Sequence, residues 1–312
     1  MVEPLKDCPL PTSEDVEEGE KLLKVGGVGC ILLAGGEGSR LGWGEPKGSF
    51  PIQGKSLFEI LVEKVLKSSK RYKKKLQLAI MTSPRNDFAT REFFAENNNF
   101  GLGKDQFDFF TQEMEPLLDL SKKPLDEKGP AGNGKALHLL CLSGLFEKWQ
   151  KKGVELISVV PIDNPLANPF DPSFLGAMRR TGADVGVRAV KRNSPAEEVG
   201  VLGQKEGKLA IIEYSELQGG ENWPLAHTGL LAFTMDFAKR VRDQEMPIHY
   251  ARRERDGKEV LKQETFLFEL LAFAESPIAR LYPRESCFAP LKSPEDIESV
   301  CDAYALSVNH SI

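Results

Sequence analysis

The stretch Leu32–Gly48, LLAGGEGSRLGWGEPKG, gathers the residues best suited to holding an anion. Gly35, Gly36 and Gly38 carry no side chains, so backbone N–H groups can come close to an oxyanion. Arg40 adds a planar fork of donors that matches phosphate, and Lys47 adds a mobile point charge. The spacing is not that of a dinucleotide fingerprint, which needs glycine where Leu41 stands. A second glycine stretch, Gly129–Ala136 (GPAGNGKA), nearly spells a P-loop. Ala136 lacks the hydroxyl that a P-loop uses to hold Mg²⁺. Two chemistries are therefore open at this point: phosphate binding for group transfer, and nucleotide hydrolysis of the P-loop kind.

These loops need a scaffold. Val28–Ala34 is a continuous apolar run that reads as a strand buried on both faces. Leu76–Thr82, Phe107–Thr111, Leu156–Ile162 and Ala183–Val190 read as further strands. Helices are expected after Thr12-Ser13, from Leu57, at Pro84–Glu96, Gly134–Lys148, Asp171–Arg180 and Glu264–Ala274. The proline-containing stretch after Gln112 reads as a polar loop. Val199–Leu202 and Leu209–Glu213 read as a hairpin, and Gly229–Thr234 as a strand with a helix behind it. Alternating strands and helices imply an α/β fold with a mostly parallel twisted sheet flanked by helices. The expected organisation is a helical arm over residues 1–27 and one α/β domain over 28–312, with a β-hairpin insertion at about 191–262. Ligands of such sheets sit at the carboxyl ends of the strands. Gly35–Lys47, Gln112–Pro116, Gly129–Lys135 and Asp163-Asn164 all fall there.

Composition narrows the class. The 312 residues are 41% hydrophobic and 28% charged, an ordinary globular balance that excludes a disordered or fibrous chain. A net charge of −5 argues against a dedicated nucleic-acid binder. No apolar run has the ~18 residues of a membrane span, so no membrane partner is expected. The five cysteines include no CxxC pair, which argues against a disulfide framework or a zinc site. Their sparse placement, and a start without a signal-like apolar core, fit a cytoplasmic protein.

The first loop resembles the signature LxxGGxGTRLGxxxPK of the UTP-dependent sugar-1-phosphate uridylyltransferases, with Ser39 where threonine is usual. The resemblance is to the UDP-N-acetylhexosamine pyrophosphorylase branch. It continues in order through FFTQEMEP (109–116), GPAGNGKAL (129–137), PIDN (161–164) and EEVGVL (197–202). IEYSEL (212–217), IHYARR (248–253), LKQETFLFE (261–269) and CFAPLKS (287–293) complete the series. The resemblance implies a Rossmann-like nucleotide-diphospho-sugar transferase fold and transfer of uridylyl from UTP to a sugar-1-phosphate. It also implies roles for residues. Arg40 and Lys47 would hold the leaving phosphates, and Lys262 and Lys292 would add charge to the transition state. Gly35, Gly36, Gln112, Gly132 and Asn133 would bind the nucleotide, with the Gln112 amide reading uracil. Gly200, Glu213, Tyr214 and His227 would face the sugar, and Asp163 would ligate Mg²⁺. IEYSEL favours N-acetylglucosamine-1-phosphate over glucose-1-phosphate. Two positions depart from the branch: His227 replaces asparagine, and Lys135 replaces the third glycine of the second loop. A P-loop hydrolase and a non-catalytic UDP-sugar-binding regulator remain the rival readings.

Overall fold

The strand Val28–Leu33 is buried along its length and lies between two parallel neighbours, Gln77–Thr82 and Leu156–Pro161. Its side chains alternate between two cores. Val28, Cys30 and Leu32 join Phe58, Leu61, Phe94 and Phe174 on one face of the sheet. Ile31 joins Trp149, Phe233 and Phe237 on the other. A strand that feeds two cores has no polar face, which is why it reads as an unbroken apolar run. The computed structural model describes residues 2–217, 222–255 and 257–309.

The strands of the ten-stranded sheet run Val2–Pro4, Val201–Lys205, Leu225–Thr234, Leu156–Pro161, Val28–Leu33, Gln77–Thr82, Phe107–Thr111. Val185–Lys191, Lys208–Ile212 and Pro277–Tyr282 are attached off this path. The sheet is mixed, which corrects the expectation of a mostly parallel one. Leu225–Thr234 runs antiparallel to Leu156–Pro161, with Leu231 opposite Val159, and antiparallel to Val185–Lys191. Apolar runs report burial on both faces but not direction, so GLLAFT could not reveal its reversal. The hairpin 201–205/208–212 forms as expected and joins the same sheet.

Three local expectations fail for identifiable reasons. The stretch after Gln112 is not a loop. Met114–Leu118 and Pro124–Pro130 pair with each other, and with His249–Arg255 and Lys258–Glu264 form a separate four-stranded sheet. Its outer strand is mostly exposed, so its sequence is polar. The helix expected at Gly134–Lys148 is two, Ala136–Leu142 and Leu145–Lys151, broken where Gly144 takes a left-handed conformation. Glu264–Ala274 is the end of a strand followed by a 3₁₀ segment, Leu267–Phe273, rather than a buried α-helix. Thr265 bridges Gly132, which holds the backbone extended there. Apolar packing of Leu267, Phe268, Leu270 and Leu271 gives the same sequence density as a buried helix.

The expected amino-terminal helix is Ser13–Val25, opened by a capping box between Thr12 and Asp15. It lies against Pro172–Thr181, where Arg180 Nε donates to the buried Asp15 carboxylate at 2.6 Å.

Candidate active site

The parallel strands end together, and their ends are stitched by backbone bonds. Ala34 N donates to Met81 O at 2.8 Å, Ile162 N to Leu33 O at 3.0 Å, and Gln112 N to Thr82 O at 2.8 Å. The glycine loop, Gln112 and Asp163 therefore share one rim. The loop folds back so that Lys47 N donates to Gly36 O at 3.3 Å. Lys47 opens a short 3₁₀ turn, Lys47–Ser49, that leads into buried Phe50, whose N–H donates to Lys47 O. Its ammonium lies 3.2 Å from Asp163 Oδ2, and the two side chains are only 15% and 26% exposed. A cation from the glycine loop and a carboxylate just past a strand end, 116 positions apart, meet at the rim.

Gln112 is nearly buried, and its amide occupies the space beside Gly35. A Cβ on Gly35 would come within 1.9 Å of Gln112 Nε2, so only glycine permits this approach. The second loop is built on Thr265. Gly132 adopts φ +86, and a Cβ there would lie 2.5 Å from Thr265 O. Thr265 N donates to Ala131 O and Gly134 N to Thr265 O. Asn133 Oδ1 accepts from Leu267 N at 2.9 Å, so this side chain also anchors the loop. Lys135 reaches across to Glu113 and, at 4.0 Å, to Glu115. The strand before this loop, Pro124–Pro130, is antiparallel in the small sheet, unlike the parallel strand that feeds a P-loop.

A second group of predicted residues collects nearby. Gly200 O accepts from His227 N at 2.7 Å, and Gly200 packs beside the Glu213 side chain. Burial raises the Glu213 carboxyl above its ordinary value, against the opposing charges of His249 and Lys292. Burial also raises the Tyr214 phenol, with Glu198 and Glu213 adding and the nearby Arg40 opposing. Arg40 and Tyr214 are both exposed. Burial pushes the His227 imidazole down to about 4. Its Nδ1 is buried without a partner, and its ring meets Phe268 edge-on at 5.9 Å. The last two lysines are held by protein oxygens. Lys262 Nζ donates to Glu264 Oε1 at 2.8 Å while its stem lies over Gly129. Lys292 Nζ donates to Glu198 O at 2.8 Å.

Residues to which the sequence assigned no role hold these groups in place. Buried Asn86 donates to Ala34 O and Gly36 O and accepts from Ser83, tying the glycine loop to the neighbouring strand end. Buried Asn164 donates to Cys287 O and accepts from Leu166 N and Ala289 N. With Leu291 N donating to the Asp163 backbone O, it fixes the Cys287–Ser293 stretch against the end of the Leu156–Pro161 strand. Lys64 donates to Pro165 O and Ala167 O, and burial pushes it down to about 7. Arg85 pairs with Glu37 of the glycine loop and with Glu127 of the small sheet, bridging the two. The asparagine of PIDN was visible as a strand-end residue, but a tether of this kind leaves no spacing signal. Two cavities, of about 470 and 530 Å³, lie away from the Lys47–Asp163 pair.

A glycine loop, a lysine and an aspartate thus share one rim of the mixed α/β sheet, the strand-end position at which ligands of open α/β sheets bind. The family model described as "UTP--glucose-1-phosphate uridylyltransferase" matches residues 3–311, and the chain belongs to that family. It is 32% identical over 328 residues to a probable UDP-N-acetylglucosamine pyrophosphorylase of Dictyostelium discoideum, covering 90% of this chain and 67% of that protein. It is 33% identical over 325 residues to UDP-N-acetylglucosamine diphosphorylase 1 of Arabidopsis thaliana, covering 90% and 64%. The chain thus spans about two thirds of the length of these curated relatives. A crystal structure of a putative UDP-N-acetylglucosamine pyrophosphorylase from Entamoeba histolytica superposes with a TM-score of 0.86 at 24% identity, covering 96% of this chain and 86% of that one. A UDP-glucose phosphorylase from Trypanosoma brucei shares the fold at a TM-score of 0.83 and 17% identity, covering 96% and 70%.

Two predictions concern the tethers and the buried imidazole. Asn164→Ala leaves buried backbone groups unpaired and should cost about 1–3 kcal/mol of stability by denaturant titration; an unchanged midpoint would contradict the tether. His227 has a folded value below its ordinary 6.5, so its contribution is complete above that value and is lost as pH falls towards about 4. His227→Asn should therefore lose less melting temperature than the wild type on going from about pH 7.5 to about pH 5. Equal losses would place the acid sensitivity elsewhere.

Proposed function

We propose that this protein transfers uridylyl from UTP to a sugar-1-phosphate, releasing pyrophosphate and forming a UDP-sugar. The observation that carries this reading is the Lys47–Asp163 contact at the rim that also holds Gly35 and Gln112. In the reaction a sugar-phosphate oxygen attacks the α-phosphorus of UTP, and the bond from that phosphorus to the β-phosphate bridge oxygen breaks. The protein must align two anions and offset the charge of an in-line transition state. Lys47, free to turn from Asp163, would meet the departing phosphates together with Arg40. Gln112, held against Gly35, would offer a donor and an acceptor to the uracil edge. Lys262 and Lys292 would exchange their present oxygens for substrate phosphate.

Mg²⁺ fits the carboxylate present. The ion is commonly held by one or two carboxylates with substrate phosphates completing its shell. Asp163 supplies a single, partly exposed carboxylate, and among the described residues no group of three His, Cys, Asp or Glu is placed to hold a metal unaided. When bound, the cation would supply positive charge to phosphate oxygens. Asp163 would hold it, and Lys47 would then be released from its present partner.

The relatives named for UDP-N-acetylglucosamine support N-acetylglucosamine-1-phosphate as the acceptor. Glu213, with Gly200 beside it, offers an acceptor for sugar hydroxyls, and His227 replaces the amide usual in this branch. Among the described residues no helix is long and apolar enough to cross a membrane; the sparse cysteines, none in a CxxC pair, support a cytoplasmic enzyme.

A panel of sugar-1-phosphates with UTP and Mg²⁺, followed by pyrophosphate release, tests the reading. Release that depends on N-acetylglucosamine-1-phosphate is expected. Sugar-independent phosphate release from ATP or GTP would favour a hydrolase, and UDP-sugar binding without turnover a regulator. Lys47→Ala should lower turnover by more than roughly tenfold with an unchanged melting temperature, the scale of losing a transition-state cation. Wild-type rates would remove Lys47 from the mechanism. Gly35→Ala displaces the Gln112 amide and should weaken UTP binding in calorimetry while the fold survives; unaltered affinity would separate that amide from the nucleotide.

A further inference from the structure

One imidazole joins three segments that lie far apart in the sequence. His249 begins the strand His249–Arg255, opposite Glu264 on the strand Lys258–Glu264. Its Nδ1 lies 3.0 Å from Glu216 Oε1, and its Nε2 lies 2.8 Å from Glu269 Oε1. Glu216 belongs to the short turn Tyr214–Glu216 that directly follows Glu213. Glu269 belongs to the segment Leu267–Phe273. The ring also rests on Phe266 at 4.9 Å, Phe266 stacks on Phe268 at 5.2 Å, and Phe268 meets His227. In the imidazolium both ring nitrogens are donors pointing apart, so the protonated side chain can donate to carboxylates on opposite sides. Exposed pairs contribute little; His249 and Glu269 are sheltered at 19% and 22% exposure, whereas Glu216 is 52% exposed, so its contact sets the placement of the turn more than the stability of the fold.

The placement has a consequence for the site. The turn bearing Glu216 carries Tyr214 and directly follows Glu213, the two residues proposed to face the sugar. The strand paired with that of His249 carries Lys262, which lies opposite Ala251. His249 therefore fixes the sugar-facing turn to the ribbon that carries a phosphate-facing cation. Without it, Glu213 and Lys262 would sit on elements joined only through other contacts.

We propose that His249 is a positioning residue for the sugar-1-phosphate: it clamps the 213–216 turn to the small sheet, so that sugar recognition and the Lys262 charge are set in one geometry. This rests on the uridylyl-transfer reading, and His249 itself touches no reacting atom.

The test uses the full chain with His249→Phe, Glu216→Ala and the double variant. Phenylalanine keeps the ring packing on Phe266 but removes both nitrogens, which separates the clamp from simple core packing. Steady-state kinetics with both substrates should show each single variant raising the KM for the sugar-1-phosphate by about tenfold, within the roughly hundredfold that a 1 Å misplacement can cost, while the KM for UTP stays within about twofold. The double variant should be no worse than His249→Phe alone, because that substitution already removes the Glu216 contact along with the Glu269 one. Equal rises in both KM values, additive effects, or unchanged kinetics would overturn the proposal. Hydrogen exchange of the amides at 213–217 gives an independent readout, and faster exchange is expected in both single variants. If the wild type releases no pyrophosphate, the uridylyl reading fails on that result alone. Unchanged exchange in His249→Phe overturns the clamp whether or not the enzyme turns over.

Discussion

Two opposite charges at an open strand-end rim set the terms for the site. Lys47 and Asp163 come from opposite neighbours in the chemistry, one suited to phosphate and the other to a cation, yet they rest against each other at 3.2 Å. Neither is fully buried, so neither carries the heavy desolvation cost of an interior ion. Such a pair can open when a triphosphate and its counter-ion arrive, because each charge then gains a partner of its own. The parallel strands Val28–Leu33 and Leu156–Pro161 make this possible by ending side by side, with Leu33 opposite Pro161.

The surrounding structure keeps that rim in register through asparagines and backbone bonds rather than further charges. Asn86 ties the glycine loop to the Gln77–Thr82 strand, and Asn164 ties the segment leading to Lys292. A buried amide can donate and accept at once without the penalty of an unpaired charge. The small sheet carries Lys262 beside the second glycine loop; Arg85 connects it to the first glycine loop and His249 to the turn Tyr214–Glu216.

Much of this was legible in the sequence, and the losses follow a pattern. Buried parallel strands and their loops could be read because VGCILLA and LISVVPI are apolar on every face and run into glycine or aspartate. The helix after Thr12 was legible because its cap is a local signal. Strand direction was not, since GLLAFT has the same composition whether it runs with or against its neighbour. The strand Pro124–Pro130 was hidden by its exposure, which makes a paired strand as polar as a loop. ETFLFELLAFA misled because aromatic stacking of Phe266 and Phe268 on an extended and 3₁₀ backbone produces the density of a buried helix. At the rim, the positions of Arg40, Lys47, Gln112 and Asp163 at or after strand ends were legible, while the roles expected of Gln112 and Asp163 rested on the motif resemblance. Asn86, Lys64 and His249 could not, because their work is done through partners distant in sequence.

The central claim is that Lys47 and Asp163 part to receive a nucleotide's phosphates and their cation. A crystal structure with UTP and Mg²⁺ tests it most directly. The account predicts phosphate oxygens within hydrogen-bond reach of Lys47 Nζ, the cation on Asp163 and the uracil edge on Gln112. A triphosphate bound elsewhere, with the Lys47–Asp163 contact intact, for instance in the cavity lined by Lys6, Lys191 and Arg192, would contradict it.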